Sequence, residues 1–312
     1  IRVGNLSVGG TGKSPMVEYL LQQLKDTFSV ATLSRGYKRK TKGYALANDN
    51  TTALEIGDEP MQFHLKFPDV PVAVGEKRIE AIPQLLHDKP DTQVIILDDA
   101  FQHRAIKAGL NILLTDYHNL FTRDFYLPTG DLRDLKISAR RAEIIVVTKC
   151  DPNMSIDEKK KIIREINPLP EQHVFFTSLK YGEPYHIKTN SPAEINEKKE
   201  VLLVTGIANP KPLMKMLEKQ SKIYHMLQYP DHHIFTVDDL NDIKKRFNTI
   251  ESDNKMILTT EKDAVRLVKF QNDINELPLF VIPVRHHFLF EEGQGFEALV
   301  VAFIKNFKRQ EQ

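Results

Sequence analysis

Residues 7–14 read "SVGGTGKS", directly after the apolar run "IRVGNL" and before "PMVEYLLQQL". Strand, glycine loop, helix is a demanding order, because it gathers small residues at the point where a helix begins. There the glycines let successive backbone N–H groups turn inward toward an anion, and the helix end adds its partial positive charge. In such a loop Lys13 reaches the β- and γ-phosphates of a nucleotide and the Ser14 hydroxyl ligates magnesium. Ser7, Val8, Gly9, Gly10, Thr11, Gly12, Lys13 and Ser14 are therefore the expected nucleotide-binding residues. Ser7 takes the place of the usual first glycine, while Gly9, Gly10 and Gly12 supply flexibility just inside it. A glycine turn that only packs a strand on a helix is the competing reading. Gly-Lys-Ser at the helix start favours a nucleoside triphosphate. Val8 stands where a partition-type ATPase carries a lysine, which argues against that subgroup.

The chain around the loop alternates short apolar runs, at 29–34, 70–75, 93–98, 110–115 and 143–148, with helix-length amphipathic segments. Continuous apolar strands separated by helices imply a mostly parallel sheet covered on both faces. A second series of strands lies at 200–206, 222–229, 255–260 and 278–284. The polar, proline-containing stretch 181–200 reads as a connection. The expected fold is thus α/β: a P-loop NTPase-like lobe over 1–180, a connecting segment over 181–200, and a smaller α/β lobe over 201–312 that closes over the site. The apolar segment 296–309 is expected to be a closing helix facing the core, with an interfacial membrane helix as the alternative.

Forty-three Lys and Arg against 42 Asp and Glu leave the chain near neutrality, so no nucleic-acid partner is expected and an anionic partner must meet a local basic patch. The single cysteine, Cys150, excludes an intrachain disulfide and fits a reducing compartment. No apolar run approaches the roughly 20 residues that span a bilayer. The chain starts at Ile1, already inside a strand, so an upstream segment is expected.

Further chemistry lies outside the loop. "VIILDDAFQHR" (94–104) ends an apolar strand on Asp98 and Asp99, where a P-loop enzyme holds Mg²⁺ or its water shell. Either aspartate also suits a helix cap. "VVTKCD" (146–151) resembles the guanine-reading element of small GTPases, which keeps a GTPase-type switch open. Such switches need Asp-x-x-Gly at the second strand, but Asp98 is followed at the third position by Phe101 and Asp99 by Gln102. "IGDEP" places Asp58 and Glu59 in a loop before a helix, as caps or as functional acids. The paired histidines at 232–233 and 286–287 lack the spacing and the cysteines of a zinc site. Arg133 in "LPTGDLRD" is a candidate phosphate contact, since guanidinium grips phosphate bidentately. Arg35, Lys38, Arg39, Lys40 and Lys42 crowd into eight residues, as a solvated loop or as a docking patch for an anionic leaflet.

"GNLSVGGTGKSP", "LSRGYKRKTKGY", "GDEPMQF", "VAVGEKR", "ILDDAFQHR", "LPTGDLRD", "VTKCD", "GIANP", "YPDHH" and "TTEKDAVRL" occur in the order found in the tetraacyldisaccharide 4′-kinase (lipid A 4′-kinase) family. The chain resembles that family from Val3 to about Leu267. The resemblance implies transfer of the ATP γ-phosphate to the 4′-hydroxyl of an acylated glucosamine disaccharide 1-phosphate, in place of a soluble P-loop kinase for a small polar acceptor. It implies Asp58 as catalytic base and His232 as its partner; with Lys13 and Arg133, read above as phosphate contacts, they make up the expected catalytic set. The expected cofactors are ATP and Mg²⁺, with Ser14, Asp98, Asp99 and Glu59 as the metal set. Asp134 is one methylene shorter than the family's glutamate, which argues against a metal role for it. The implied location is the cytoplasmic face of the bacterial inner membrane, on an anionic membrane surface, peripheral or held by an N-terminal helix upstream of Ile1.

Overall fold

Val, Ile and Leu run almost unbroken through the strands, which is the pattern of sheets buried on both faces. The computed structural model describes residues 1–221, 223–270, 274 and 277–307. The strands are β1 (Arg2–Asn5), β2 (Val30–Ser34), β3 (Ala45–Leu46), β4 (Val72–Val74), β5 (Val94–Leu97), β6 (Asn111–Asp116) and β7 (Ile144–Thr148). They continue with β8 (His173–Tyr181), β9 (Tyr185–His186), β10 (Glu200–Thr205), β11 (Tyr224–Gln228), β12 (Lys255–Thr260), β13 (Leu279–Ile282) and β14 (Val284–Phe288). The α-helices are α1 (Lys13–Leu24), α2 (Ala53–Ile56), α3 (Asp58–Lys66), α4 (Arg78–Asp88), α5 (Ile156–Ile166), α6 (Lys211–Gln220), α7 (Val237–Asn248), α8 (Glu261–Leu267) and α9 (Gly293–Asn306).

Two compact units result. The first joins Ile1–Lys180 to the described residues from Arg285 onward, and the second is Tyr181–Val284. The first unit's sheet has the order β14-β8-β7-β6-β1-β5-β2-β4-β3. Its strands β4, β2, β5, β1, β6, β7 and β8 pair in parallel, and β3 adds an antiparallel edge. β1 is central, with successive strands leaving it in opposite directions. In open α/β sheets such a switch point, at the carboxyl ends of the strands, is where ligands bind. Gly4 on β1 permits close packing there: a Cβ at that position would lie 2.6 Å from the Cβ of fully buried Phe101. The second unit's sheet has the order β11-β10-β12-β13-β9, parallel except for β9.

The division differs from the expected one at two places. Residues 181–200 contribute β9, which pairs with β13, so the stretch belongs to the second unit's sheet. The C-terminal segment returns to the first unit, because β14 joins β8 and the buried Phe296 of α9 packs against Phe175, Tyr19 and Phe288. That packing meets the expectation of a core-facing closing helix. β8, "HVFFTSLKY", is the longest strand missed in the sequence; β3, β9 and β14 were also missed.

Candidate active site

The glycine loop ends at α1. Gly12 caps this helix with φ 83°, in the left-handed region, and neither a capping side chain nor an acidic residue occupies the first turn. The leading N–H groups of a helix have no partner within it. This helix end is therefore open to an anion and carries no competing negative charge of its own. Val8, Gly9 and Gly10 are exposed, and Gly9 also has a positive φ. Ser7 does not: its backbone bridges to Leu132 while Val8 N–H donates to the Asp131 carbonyl at 2.7 Å. An extended, paired residue has no need of glycine, which accounts for serine at that position.

Side chains from neighbouring strands hold the loop from behind. Asn5, fully buried at the end of β1, donates to Thr11 Oγ1 at 2.9 Å and accepts from Arg133 Nη2 at 2.7 Å. Gln102 donates to the Asn5 carbonyl at 2.7 Å. Thr148 of β7 donates to the Thr11 carbonyl at 2.9 Å. Thr148 opens the "TKCD" stretch, so one residue of the suspected guanine reader is a buried prop of the phosphate loop. In the same stretch Lys149 pairs with Asp116 at 2.6 Å, and exposed Asp151 accepts from the Asn153 N–H. Sequence reasoning missed Asn5 and Thr148 as functional residues. The available signal was a polar residue ending an apolar strand beside the loop.

The structure brings Asp98, Asp99, Arg133 and Lys13 together at this sheet edge. Lys13 Nζ lies 3.6 Å from Asp99 Oδ1, and Arg133 donates to the same oxygen. Burial opposes the Asp99 charge, but Lys13 and Arg133 outweigh it and hold the carboxyl below its usual range. Asp99 also has φ 44°, a left-handed conformation that aspartate tolerates better than most residues. Asp98 is different. Burial, then the adjacent Asp99 charge, pushes its carboxyl up to about 7. Ser34 donates to its Oδ2 at 3.4 Å, while its Oδ1 is buried with no hydrogen-bond partner. A buried carboxylate oxygen with no hydrogen-bond partner has, once ionised, the donor chemistry a hard cation requires. Among the described residues no three His, Cys, Asp or Glu side chains form a ready-made metal cage. A magnesium ion here would complete its shell from phosphate oxygens and water, the usual way Mg²⁺ is bound.

Asp58 and Glu59 do not sit in a loop. They form the first turn of α3, after Gly57 at φ 95°. Carboxylates there interact favourably with the helix dipole. The α3 helix is tied to α1 through buried Glu18, which accepts from Gln62 at 2.7 Å and pairs with Lys66 at 2.5 Å. The helix carrying Asp58 is thereby fixed to the helix carrying Lys13 and Ser14.

Arg39 departs from the expected solvated basic loop. Its side chain is 2% exposed and pairs with Glu76 at 2.6 Å, so it fastens the loop, leaving Arg35, Lys38, Lys40 and Lys42 exposed. Asp134 pairs with Arg104 and Arg141 and accepts from Ser138.

In the second unit, three sequence blocks converge at the carboxyl edge of the sheet. Asp263, fully buried on α8, accepts from the Gly206 N–H at 3.0 Å and from Thr260 Oγ1 at 2.7 Å, and pairs with Arg266 at 3.4 Å. His232 follows β11 with φ 63°; Lys262 Nζ lies 3.0 Å from its Nε2 and Arg266 Nη2 lies 3.2 Å from its Nδ1. A neutral imidazole has one acceptor nitrogen, so it bonds to one of these cations at a time. Neighbouring His233 stacks on Tyr229 and pairs with Asp239 at 2.9 Å, a structural role.

Comparison with known proteins identifies the family. The profile of the tetraacyldisaccharide-1-P 4′-kinase family matches residues 1–305. The tetraacyldisaccharide 4′-kinase of Bacteroides thetaiotaomicron is 43% identical, covering 98% of this chain and 84% of the relative's. That of Flavobacterium johnsoniae is 44% identical over 98% of this chain and 87% of its own. Among solved structures, the "apo" form of LpxK from Aquifex aeolicus in complex with ATP superposes with a TM-score of 0.73 at 27% identity, over 97% of this chain and 87% of the other. A phosphate loop open to an anion, a paired-aspartate strand end and a match across nearly the whole chain lead to one conclusion: this chain belongs to the tetraacyldisaccharide 4′-kinase family.

Proposed function

We propose that this chain transfers the γ-phosphate of ATP to the 4′-hydroxyl of a tetraacyldisaccharide 1-phosphate, a step of lipid A biosynthesis. The observation that carries the reading is the open N-terminus of α1, with Lys13 beside Asp98 and Asp99 at the central switch point of the sheet. Phosphoryl transfer asks a protein for positioning and charge stabilisation more than for covalent chemistry. The loop N–H groups cradle the phosphates. Lys13 leaves Asp99 to neutralise the β- and γ-phosphates, and Arg133 steadies the transferring group or a substrate phosphate. Mg²⁺ would be held by Ser14 and Asp98, with Asp99 and Glu59 on its water shell, and would supply charge neutralisation between the phosphates.

Asp58 is the base that accepts the proton of the attacking hydroxyl, and His232 is its partner, orienting the carboxylate or relaying the proton. An acylated acceptor is a membrane lipid, which supports a reading in which the reaction takes place on an anionic surface at the cytoplasmic face of the inner membrane, with attraction supplied by Arg35, Lys38, Lys40 and Lys42. Among the described residues no helix is long and apolar enough to cross a membrane.

The test is acceptor-dependent ADP formation. ATP should be consumed with a tetraacyldisaccharide 1-phosphate and far more slowly with its deacylated form or with no acceptor. Equal consumption with the deacylated sugar would make this a kinase for a polar acceptor. Acceptor-independent hydrolysis of GTP in preference to ATP would make it a switch.

A further inference from the structure

His286 lies on β14, is 5% exposed, and has been given no chemical role above. Its ring nonetheless touches the phosphate loop. Nε2 is 2.9 Å from the Gly12 carbonyl oxygen, and Nδ1 is 2.9 Å from Thr177 Oγ1 on β8. A carbonyl only accepts, so Nε2 carries the proton, and Nδ1 then accepts from the Thr177 hydroxyl. The tautomer is fixed by its two partners. Burial lowers the imidazole to about 4, so this neutral form is the one present near pH 7. Gly12 also lacks room for a side chain on this side, since a Cβ there would meet the ring at 3.1 Å.

What this contact does follows from peptide geometry. The Gly12 carbonyl and the Lys13 N–H belong to one planar trans peptide and point in opposite directions. A donor that holds the carbonyl therefore aims the N–H. The Gly12 carbonyl also accepts the first bond of α1, from the Met16 N–H at 3.2 Å, so the helix and the imidazole fix the plane together. Thr148 does the same one peptide earlier by holding the Thr11 carbonyl.

We propose that His286 is a positioning residue of the phosphate loop: by donating to the Gly12 carbonyl it presets the Gly12–Lys13 peptide with the Lys13 N–H turned toward the nucleotide phosphate. This goes beyond the assigned site residues and rests on the reading of the loop as a nucleotide-phosphate site. Preset donors spare the reorganisation that binding would otherwise require, which is how oriented N–H groups gain their effect on phosphate and oxyanion charge.

Three substitutions separate the donor from mere filling of space. The amide nitrogen of glutamine reaches about as far as Nε2, so His286→Gln keeps a donor for Gly12. His286→Asn keeps only a shorter reach, and His286→Leu fills the space without a donor. Binding of a non-hydrolysable ATP analogue to the full chain is measured for each, with Lys13→Ala alongside, together with the KM for ATP and for the acceptor. His286→Leu and His286→Asn should weaken analogue binding by about tenfold to a hundredfold, the range for a hydrogen bond serving a charged group. The KM for ATP should rise while the acceptor KM stays, and His286→Gln should recover most of the loss. If the leucine variant does not fold, the Gln–Asn pair decides the question. Wild-type binding by His286→Asn, or equal losses in Asn and Gln, would overturn the proposal. Wild-type analogue binding by Lys13→Ala would instead remove the phosphate-loop reading beneath it.

Discussion

The two units solve one problem with different materials. Both are mostly parallel sheets, and residues proposed for function lie at the carboxyl edge of each. The first makes its edge from backbone: Gly9 and Gly12 with positive φ, an uncapped helix start, and side chains that grip the loop from behind. The second has no glycine loop. Its edge is set by a buried carboxylate, Asp263, that organises the Gly206 N–H, Thr260 and Arg266, and through Arg266 reaches His232. A site made of backbone is robust to side-chain change except where conformation or close packing demands glycine. A site hung on one buried charge has a single point of failure.

The largest expected effect breaks the chemical part of that comparison. Asp58→Ala should lower kcat by about 10²–10⁴, the usual contribution of a general base. ATP affinity should be kept, because the loop and Lys13 hold the phosphates. Adding His232→Ala should cost little more than the poorer single change if the two act as one unit. Losses that multiply would give His232 an independent role in substrate contact. Steady-state kinetics on the four proteins reads this directly.

Next comes the second unit's weak point. Asp263→Ala leaves Arg266 and the Gly206 N–H without their buried partner and should destabilise by about 3–5 kcal/mol, the cost of breaking a buried ion pair. Denaturant unfolding measures it. Hydrogen exchange should locate the loss in Tyr181–Val284 before it spreads to the first unit. A loss below 1 kcal/mol would deny Asp263 its organising role.

These expectations show what could be read in advance. The glycine loop, the paired aspartates and most central strands were legible, because backbone needs and apolar runs are local in sequence. The props of the loop were not. Thr148 and His286 act on the loop from more than a hundred residues away, one legible only as part of a guanine-reading element and the other only as half of a histidine pair, while Asn5, six residues before Thr11, looks like an ordinary polar strand end. β8 was missed although its centre is apolar, and the return of the chain through β14 to the first sheet had no local signal. Arg39 was read by its charge, when its environment fastens it to Glu76.

A smaller effect concerns pH. An imidazole lowered to about 4 in the folded state binds fewer protons there than in the unfolded chain, where its value is 6.5. Its contribution to stability is therefore complete above about pH 6.5 and is lost as pH falls toward 4, with stability rising with pH across that window. Its two polar contacts, a carbonyl and a threonine hydroxyl, do not titrate in this range. His286→Gln should flatten the pH dependence of the unfolding free energy between 4 and 6.5; an unchanged slope would contradict the assignment.

The smallest effect sharpens how far the first unit's edge extends. Replacing the exposed Lys38, Lys40 and Lys42 by serine, while sparing the buried Arg39, should weaken binding to anionic vesicles by roughly 1 kcal/mol per charge at low salt. The difference should fade at 1 M salt, where the Debye length is about 3 Å. The KM for ATP should hold. Unaltered vesicle binding at low salt would reduce the loop to solvated surface.

The central claim is that the backbone-built edge delivers the γ-phosphate of ATP to one hydroxyl of an acylated disaccharide. Terminally labelled ATP is incubated with tetraacyldisaccharide 1-phosphate and either the wild-type chain or Lys13→Ala, and the label in the lipid product is mapped by position. The account predicts label at the 4′-oxygen with the wild type, and near-complete loss of it in a folded Lys13→Ala protein. Label at another position, label released only as inorganic phosphate, or full transfer by Lys13→Ala would contradict it.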